Sequence, residues 1–113
     1  MKKMFFVLAA LLLVSPLAFA HPPSKIEVAF DSTSKMLTAT IFHPVQDAQG
    51  HYIMKVDIGF NGEEIIEHHI SVQDNDTTQT VGYRIPEAKA ADVLSVEAYC
   101  NIYGTKTEKV TVE

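Results

Sequence analysis

Tyr52-Ile53-Met54-Lys55-Val56-Asp57-Ile58-Gly59-Phe60-Asn61-Gly62-Glu63-Glu64 is the stretch whose reading decides the fold. Tyr52, Met54, Val56, Ile58 and Phe60 alternate with Lys55, Asp57 and Gly59, the period of two that marks a half-buried strand. Asn61-Gly62 follows at once, and both residues accept the positive φ of a tight two-residue turn. A return strand then runs from about residue 63 to 72. Ile66, His68, Ile70 and Val72 lie on one side of it, and Ile65, Glu67, His69 and Ser71 on the other. The stretch therefore reads as an antiparallel hairpin with one face turned to a core.

The same period extends in both directions. Ile26, Val28 and Phe30 alternate with Lys25, Glu27 and Ala29, and Leu37, Ala39 and Ile41 repeat the pattern up to His43-Pro44. Proline withholds a ladder donor, so the second strand should end there, and residues 45–50 read as a polar loop. Beyond the hairpin come a turn at Asp74-Asn75-Asp76, a strand over 78–85 ended by Pro86, and a strand over 93–100. A last strand over about 106–112 turns Val110 and Val112 inward. Residues 87–92 fit one helical turn or a loop crossing between sheets. Seven short runs without a long helical period predict an all-β fold, a seven-stranded antiparallel immunoglobulin-like β-sandwich. One cysteine cannot form an inter-sheet disulfide, so that likeness is architectural.

The first twenty residues read differently. A basic start at Met1-Lys2-Lys3, an apolar run from Phe5 to Val14, and Ala18-Phe19-Ala20 ahead of a cut predict a secretory signal peptide over 1–20 and a domain over 21–113. The apolar run is short for a membrane span. Export through it implies a periplasmic or secreted protein with no membrane insertion after cleavage. The leader takes two of the nine basic residues with it, leaving seven against fourteen acidic ones. A chain this acidic argues against nucleic acid and anionic membranes as partners.

Candidate chemistry gathers at strand ends. Cys100, the one cysteine, closes an apolar run and is followed by Asn101-Ile102-Tyr103-Gly104, so its thiol sits beside a loop. Exported proteins usually pair their cysteines. A lone thiol is therefore a buried small apolar residue, an intermolecular disulfide, or a ligand or reactive group. His43 and His51 flank another loop, and imidazoles with a thiolate form a set that iron, copper or zinc can use. His68 and His69 alternate along a strand and point to opposite faces, His69 to solvent. Glu63-Glu64 and Asp74/Asp76 read as solvated acidic turns.

Phe42-His43-Pro44, His51-Tyr52-Ile53, Asn61-Gly62 and Tyr99-Cys100-Asn101-Ile102-Tyr103-Gly104 together resemble the iron domain of the desulfoferrodoxin and neelaredoxin (superoxide reductase) family. The similarity covers most of the chain after residue 20. In that family the pattern is His-Pro, His-Tyr-Ile, then Cys-Asn-x-His-Gly, with a further histidine near the start of the domain. The resemblance implies a seven-stranded sandwich holding mononuclear non-haem iron. His43 and His51 would be equatorial ligands, His21 the early histidine, and Cys100 an axial thiolate and the catalytic residue. It also implies reduction of superoxide to hydrogen peroxide with electrons from a donor protein. Two departures stand out. Tyr103 occupies the place of the family's last histidine, leaving a phenol as the metal ligand there. Phe19-Ala20 stand where the family has Glu-Lys.

Two other readings use the same residues. A binding module resembling sulfur-oxidation carrier partners would share the His-Pro element, the aromatic-Ile segment and Asn-Gly without catalysis. A copper protein would use His21 as a mature N-terminus, where an imidazole and a free α-amine chelate together. Oligomerisation is compatible with each of these.

Overall fold

The computed structural model describes residues 21–113; the signal peptide read over 1–20 lies outside the described residues. Seven strands follow one another: β1 (Lys25–Asp31), β2 (Met36–Phe42), β3 (Ile53–Phe60), β4 (Glu63–His69), β5 (Thr78–Arg84), β6 (Val93–Cys100) and β7 (Thr105–Thr111). They form a three-stranded sheet in the order β1-β2-β5 and a four-stranded sheet in the order β4-β3-β6-β7. Every pairing is antiparallel. Alternate side chains of the two sheets meet in one core: Ile26, Leu37, Ala39, Ile41 and Val81 from the first, Val56, Ile58, Leu94, Val96 and Ala98 from the second. The all-β, two-sheet architecture expected from the period-two pattern is the one observed, and no helix occurs among the described residues.

The hairpin turns as its sequence dictates. Asn61 has φ 49° and Gly62 φ 93°, the left-handed pair that a two-residue hairpin loop needs. Asn61 also ties this turn to the start of β6. Its backbone N–H donates to the Val93 carbonyl (2.8 Å), its Oδ1 accepts from the Val93 N–H (2.8 Å), and its Nδ2 donates to Asp92 (3.1 Å).

Three details depart from the sequence reading. The expected stripe from Tyr52 to Phe60 breaks, because Ile53 is fully buried while Met54 is 39% exposed. The register of β3 against β6 shifts between Ile53 and Lys55, and a bulge of one extra residue reverses which neighbour faces the core. β4 stops at His69 rather than Val72. Ile70 N–H still reaches the Met54 carbonyl (2.8 Å), but the chain then leaves the sheet and Val72 is 46% exposed. Glu63-Glu64 belong to β4 and not to the turn. Of the two readings of residues 87–92, the loop crossing between the sheets is the one observed, with a turn at Ala91 (φ 77°).

Asn61→Ala removes the side-chain acceptor for the Val93 N–H and places a β-carbon in left-handed backbone. A loss of about 1–3 kcal/mol in unfolding free energy, measured in urea, is expected.

Candidate metal centre

Three chain segments converge at one end of the sandwich, each delivering one histidine. His43 directly follows β2. Its N–H donates to the Thr77 carbonyl (2.8 Å) and that of Val45 to the Asp76 carbonyl (2.8 Å), so the segment leaving the strand is pinned to the 74–77 turn. His51 ends the loop between β2 and β3. The Asp47 carbonyl accepts from the N–H groups of Gly50 (3.2 Å) and His51 (2.9 Å), and the Asp47 carboxylate accepts from Gln49 N–H (3.0 Å). Acidic and amide side chains that bind backbone two residues onward make turns of this kind. His21 precedes β1 and is anchored through Ser24, whose N–H donates to the Phe42 carbonyl (2.8 Å).

The three rings pack with centroids 4.8–5.2 Å apart. One ring nitrogen from each lies within 4.8 Å of those of the other two. A metal bound at 2.0–2.1 Å holds its nitrogen ligands about 3–4 Å apart, so small ring movements would close the group around one ion.

The protonation of His43 follows from its partners. Gln73 Oε1 faces the Ile53 N–H (3.2 Å), which can only donate. Gln73 Nε2 faces the carbonyls of His43 (2.9 Å) and Asn75 (2.9 Å), which can only accept. The amide orientation is thereby fixed. His43 Nδ1, 2.8 Å from the same Oε1, must carry its proton toward that oxygen, which leaves Nε2 as a bare lone pair in the neutral ring. His43 is fully buried, and its Nε2 has no hydrogen-bond partner. His51 Nε2 is likewise buried and unpartnered. Buried polar atoms are almost always bonded, and imidazole nitrogens buried without a protein partner are donors of the kind a Lewis acid takes. Burial depresses the pKa of both His43 and His51 below the ordinary 6.5. Neighbouring imidazoles push in the same direction, and only for His43 does the Gln73 hydrogen bond partly oppose the shift. Burial thus favours the neutral form of both rings, which need shed no proton to bind a metal near pH 7.

His21 supplies the third ring. Its Nδ1 lies 2.9 Å from the Pro22 carbonyl and its Nε2 3.0 Å from the Pro44 carbonyl. A neutral imidazole has one N–H, so only one of these contacts is then a hydrogen bond and the other nitrogen presents its lone pair. Pro22 rests against Gly104, where a β-carbon would come within 2.7 Å of Pro22 Cβ; Gly104 also has φ 89°. Glycine at 104 is what lets the His21 segment lie down on the β6–β7 loop.

Cys100 lies outside the compact histidine group. It is 5% exposed and pairs with Ile53 across the sheet, two residues from His51. Its Sγ accepts from the Ile102 N–H (3.4 Å), a contact that negative charge on sulfur would strengthen. Tyr103 is 64% exposed. The sequence reading contains no role for Gln73, and it has Asn101 only as the residue after Cys100 in the motif. Asn101 clamps both neighbours of His51: its Oδ1 accepts from Tyr52 N–H (2.9 Å), its N–H donates to the Tyr52 carbonyl (3.0 Å), and its Nδ2 donates to the Gly50 carbonyl (3.1 Å). Gln73 sits in an irregular segment with no periodic pattern to flag it, and only its contacts reveal the role. An open cleft of about 480 Å³, lined by His21, Pro44, Val45, Asp47 and His51 among others, adjoins the rings.

No protein-family model matches the chain, nor does any curated protein. The histidine group could hold a metal ion, and it stands on its own chemistry.

Gln73→Leu deprives His43 Nδ1–H and Ile53 N–H of their acceptor. Metal affinity, read by competition with a chelating dye, should fall about 10–100-fold, and the metal-free protein should lose about 1–3 kcal/mol.

Proposed function

We propose that this chain is an exported mononuclear metal protein, and that the metal is non-haem iron held by His21, His43, His51 and the Cys100 thiolate. The supporting observations are the buried, unpartnered Nε2 atoms of His43 and His51, the grouping of one ring nitrogen from each of His21, His43 and His51 within 4.8 Å, and a cleft alongside. Imidazole suits several transition metals and a thiolate narrows the choice toward softer or redox-active ones. The resemblance to the superoxide reductase iron domain then selects iron and superoxide. Iron in such a site supplies one reducing electron, with which superoxide and two protons become hydrogen peroxide, and an external electron-donor protein restores the reduced state. The residues have separable tasks. Gln73 keeps His43 in the tautomer that offers Nε2, Asn101 and Asp47 fix the loop that carries His51, and Ile102 N–H steadies the sulfur. The cleft admits a small ligand next to the rings. Tyr103, exposed at its present position, plays no part in this ligand set, and three imidazoles with one thiolate take the place of the family's four and one.

A second reading has its own observation. The compact group contains three imidazoles and not Cys100, and a copper ion could be held by these rings together with a free His21 α-amine.

Metal analysis and visible absorption of protein that begins at His21 separate the two readings. The expected result is one iron per chain with a thiolate-to-metal band that disappears in Cys100→Ser. Copper retained in Cys100→Ser and lost when a residue is added before His21 would establish the second reading. A folded protein that takes up no metal would contradict both and leave a binding module.

A further inference from the structure

A second group of potential ligands lies on the other face of the β4-β3-β6-β7 sheet, the face turned away from the core. Strand register places Glu67 of β4, Asp57 of β3 and Glu97 of β6 side by side in one row. Like charges directly opposite one another destabilise a sheet, so this row needs a reason. A second irregularity adds a fourth carboxylate. The β3–β4 register jumps from Ile58↔Ile66 to Gly59↔Glu64, which brings Glu64 next to the row and leaves Ile65 42% exposed. Gly59 has no side chain, and a β-carbon there would run into the Ser95 hydroxyl. The result is a notch of about 170 Å³ lined by Asp57, Ile58, Gly59, Glu64, Ser95, Glu97 and Thr107 among others, its surface more polar than apolar.

Asp57 is the informative residue. It is 8% exposed, and its Oδ1 is buried without any partner. Its Oδ2 meets Lys55 Nζ at 3.4 Å, and the same ammonium reaches Glu67 at 3.9 Å while lying 4.3 Å from the Tyr99 ring centroid. Lys55 thus bridges two carboxylates, Glu97 accepts from the Tyr99 hydroxyl (2.9 Å), and one buried Asp57 oxygen is left without a partner. An uncompensated buried carboxylate oxygen is costly. Glu64 records the same crowding: the neighbouring Asp57 carboxylate holds its carboxyl above the ordinary range.

We propose that Asp57, Glu64 and Glu67 form a binding site for a hard divalent cation, calcium, separate from the histidine centre. One carboxylate oxygen from each of the three lies within 4.8 Å of the others. That spread approaches what a calcium ion with oxygen ligands at about 2.4 Å spans, whereas magnesium demands about 2.0–2.1 Å and strict octahedral geometry. The Ser95 and Thr107 hydroxyls and water are at hand to complete a coordination of about six to eight oxygens. On binding, Lys55 gives up its place between Asp57 and Glu67 and keeps the Tyr99 ring. A site with three carboxylates on a rigid sheet, open to solvent, belongs to the weak class of extracellular calcium sites, with Kd on the order of 10⁻⁴–10⁻³ M.

Thermal unfolding of the intact protein in calcium chloride, magnesium chloride, and sodium chloride of matched ionic strength tests the proposal. About 10 mM calcium should raise the midpoint by roughly 5 °C or more, with clearly smaller effects of the other two salts. Asp57→Asn should abolish the calcium-specific shift. Glu64→Gln and Glu67→Gln, at exposed positions whose replacement leaves the fold intact, should each weaken calcium binding about tenfold by titration calorimetry. Equal shifts in all three salts, or a calcium shift that persists in a Glu64→Gln/Glu67→Gln double variant, would overturn it.

Discussion

One carboxamide governs the histidine end of this molecule. Gln73 accepts from Ile53 N–H and His43 Nδ1 on one side and donates to the His43 and Asn75 carbonyls on the other. A buried polar group that satisfies every valence it has is rigid, because any displacement exposes unpaired donors in a medium of low dielectric. The same four contacts join the end of β2, the start of β3 and the turn before β5. They also decide which nitrogen of His43 is bare. Tautomer, ring orientation and loop position are therefore set by a single side chain, in the way that groups behind metal ligands usually set them.

Around that carboxamide the fold supplies the rest by topology. Strand ends of both sheets meet at this end of the sandwich, so residues far apart in sequence become neighbours. His21 lies on the Pro44 carbonyl, Pro22 on Gly104, and Asn101 on both sides of His51. The bulge at Ile53–Met54 sits two residues beyond His51 and turns Ile53 into the core opposite Cys100. Bulges re-aim side chains next to sites, and here the bulge fixes how the histidine loop enters β3. The opposite face of the four-stranded sheet has a different chemistry, with oxygen and charge in place of imidazole. Its irregularity, the register jump beside Gly59, likewise falls where potential ligands gather.

What the sequence disclosed, and what it hid, follows from the range of the forces involved. Strand period and the Asn61-Gly62 turn are local, and all seven strands were readable with ends displaced by a few residues. His43 and His51 flank one loop and were legible as a pair, and the His-Pro, His-Tyr-Ile and Cys-Asn elements suggested that His21 and Cys100 belong nearby. Gln73 was invisible, because an amide in an unpatterned segment carries no signal until its partners, twenty and thirty residues away, are in place. Bulges were hidden for a similar reason. Alternation through Tyr52–Phe60 looked unbroken, yet pairing with β6 inserts a residue that the apolar pattern alone does not register. Glu64 read as a solvated turn residue, and only the register jump next to Gly59 brings it against Asp57.

His43 is held with its Nδ1 protonated and its Nε2 bare, one corner of a group of three imidazoles. Nitrogen-15 spectra of the histidine rings, recorded on metal-free protein and during titration with zinc, test this arrangement most directly. The account predicts a neutral His43 in the Nδ1–H tautomer, whose Nε2 resonance shifts together with those of one His21 and one His51 nitrogen and saturates at one zinc per chain. A His43 found in the Nε2–H tautomer, or zinc that leaves its Nε2 unshifted, would contradict it.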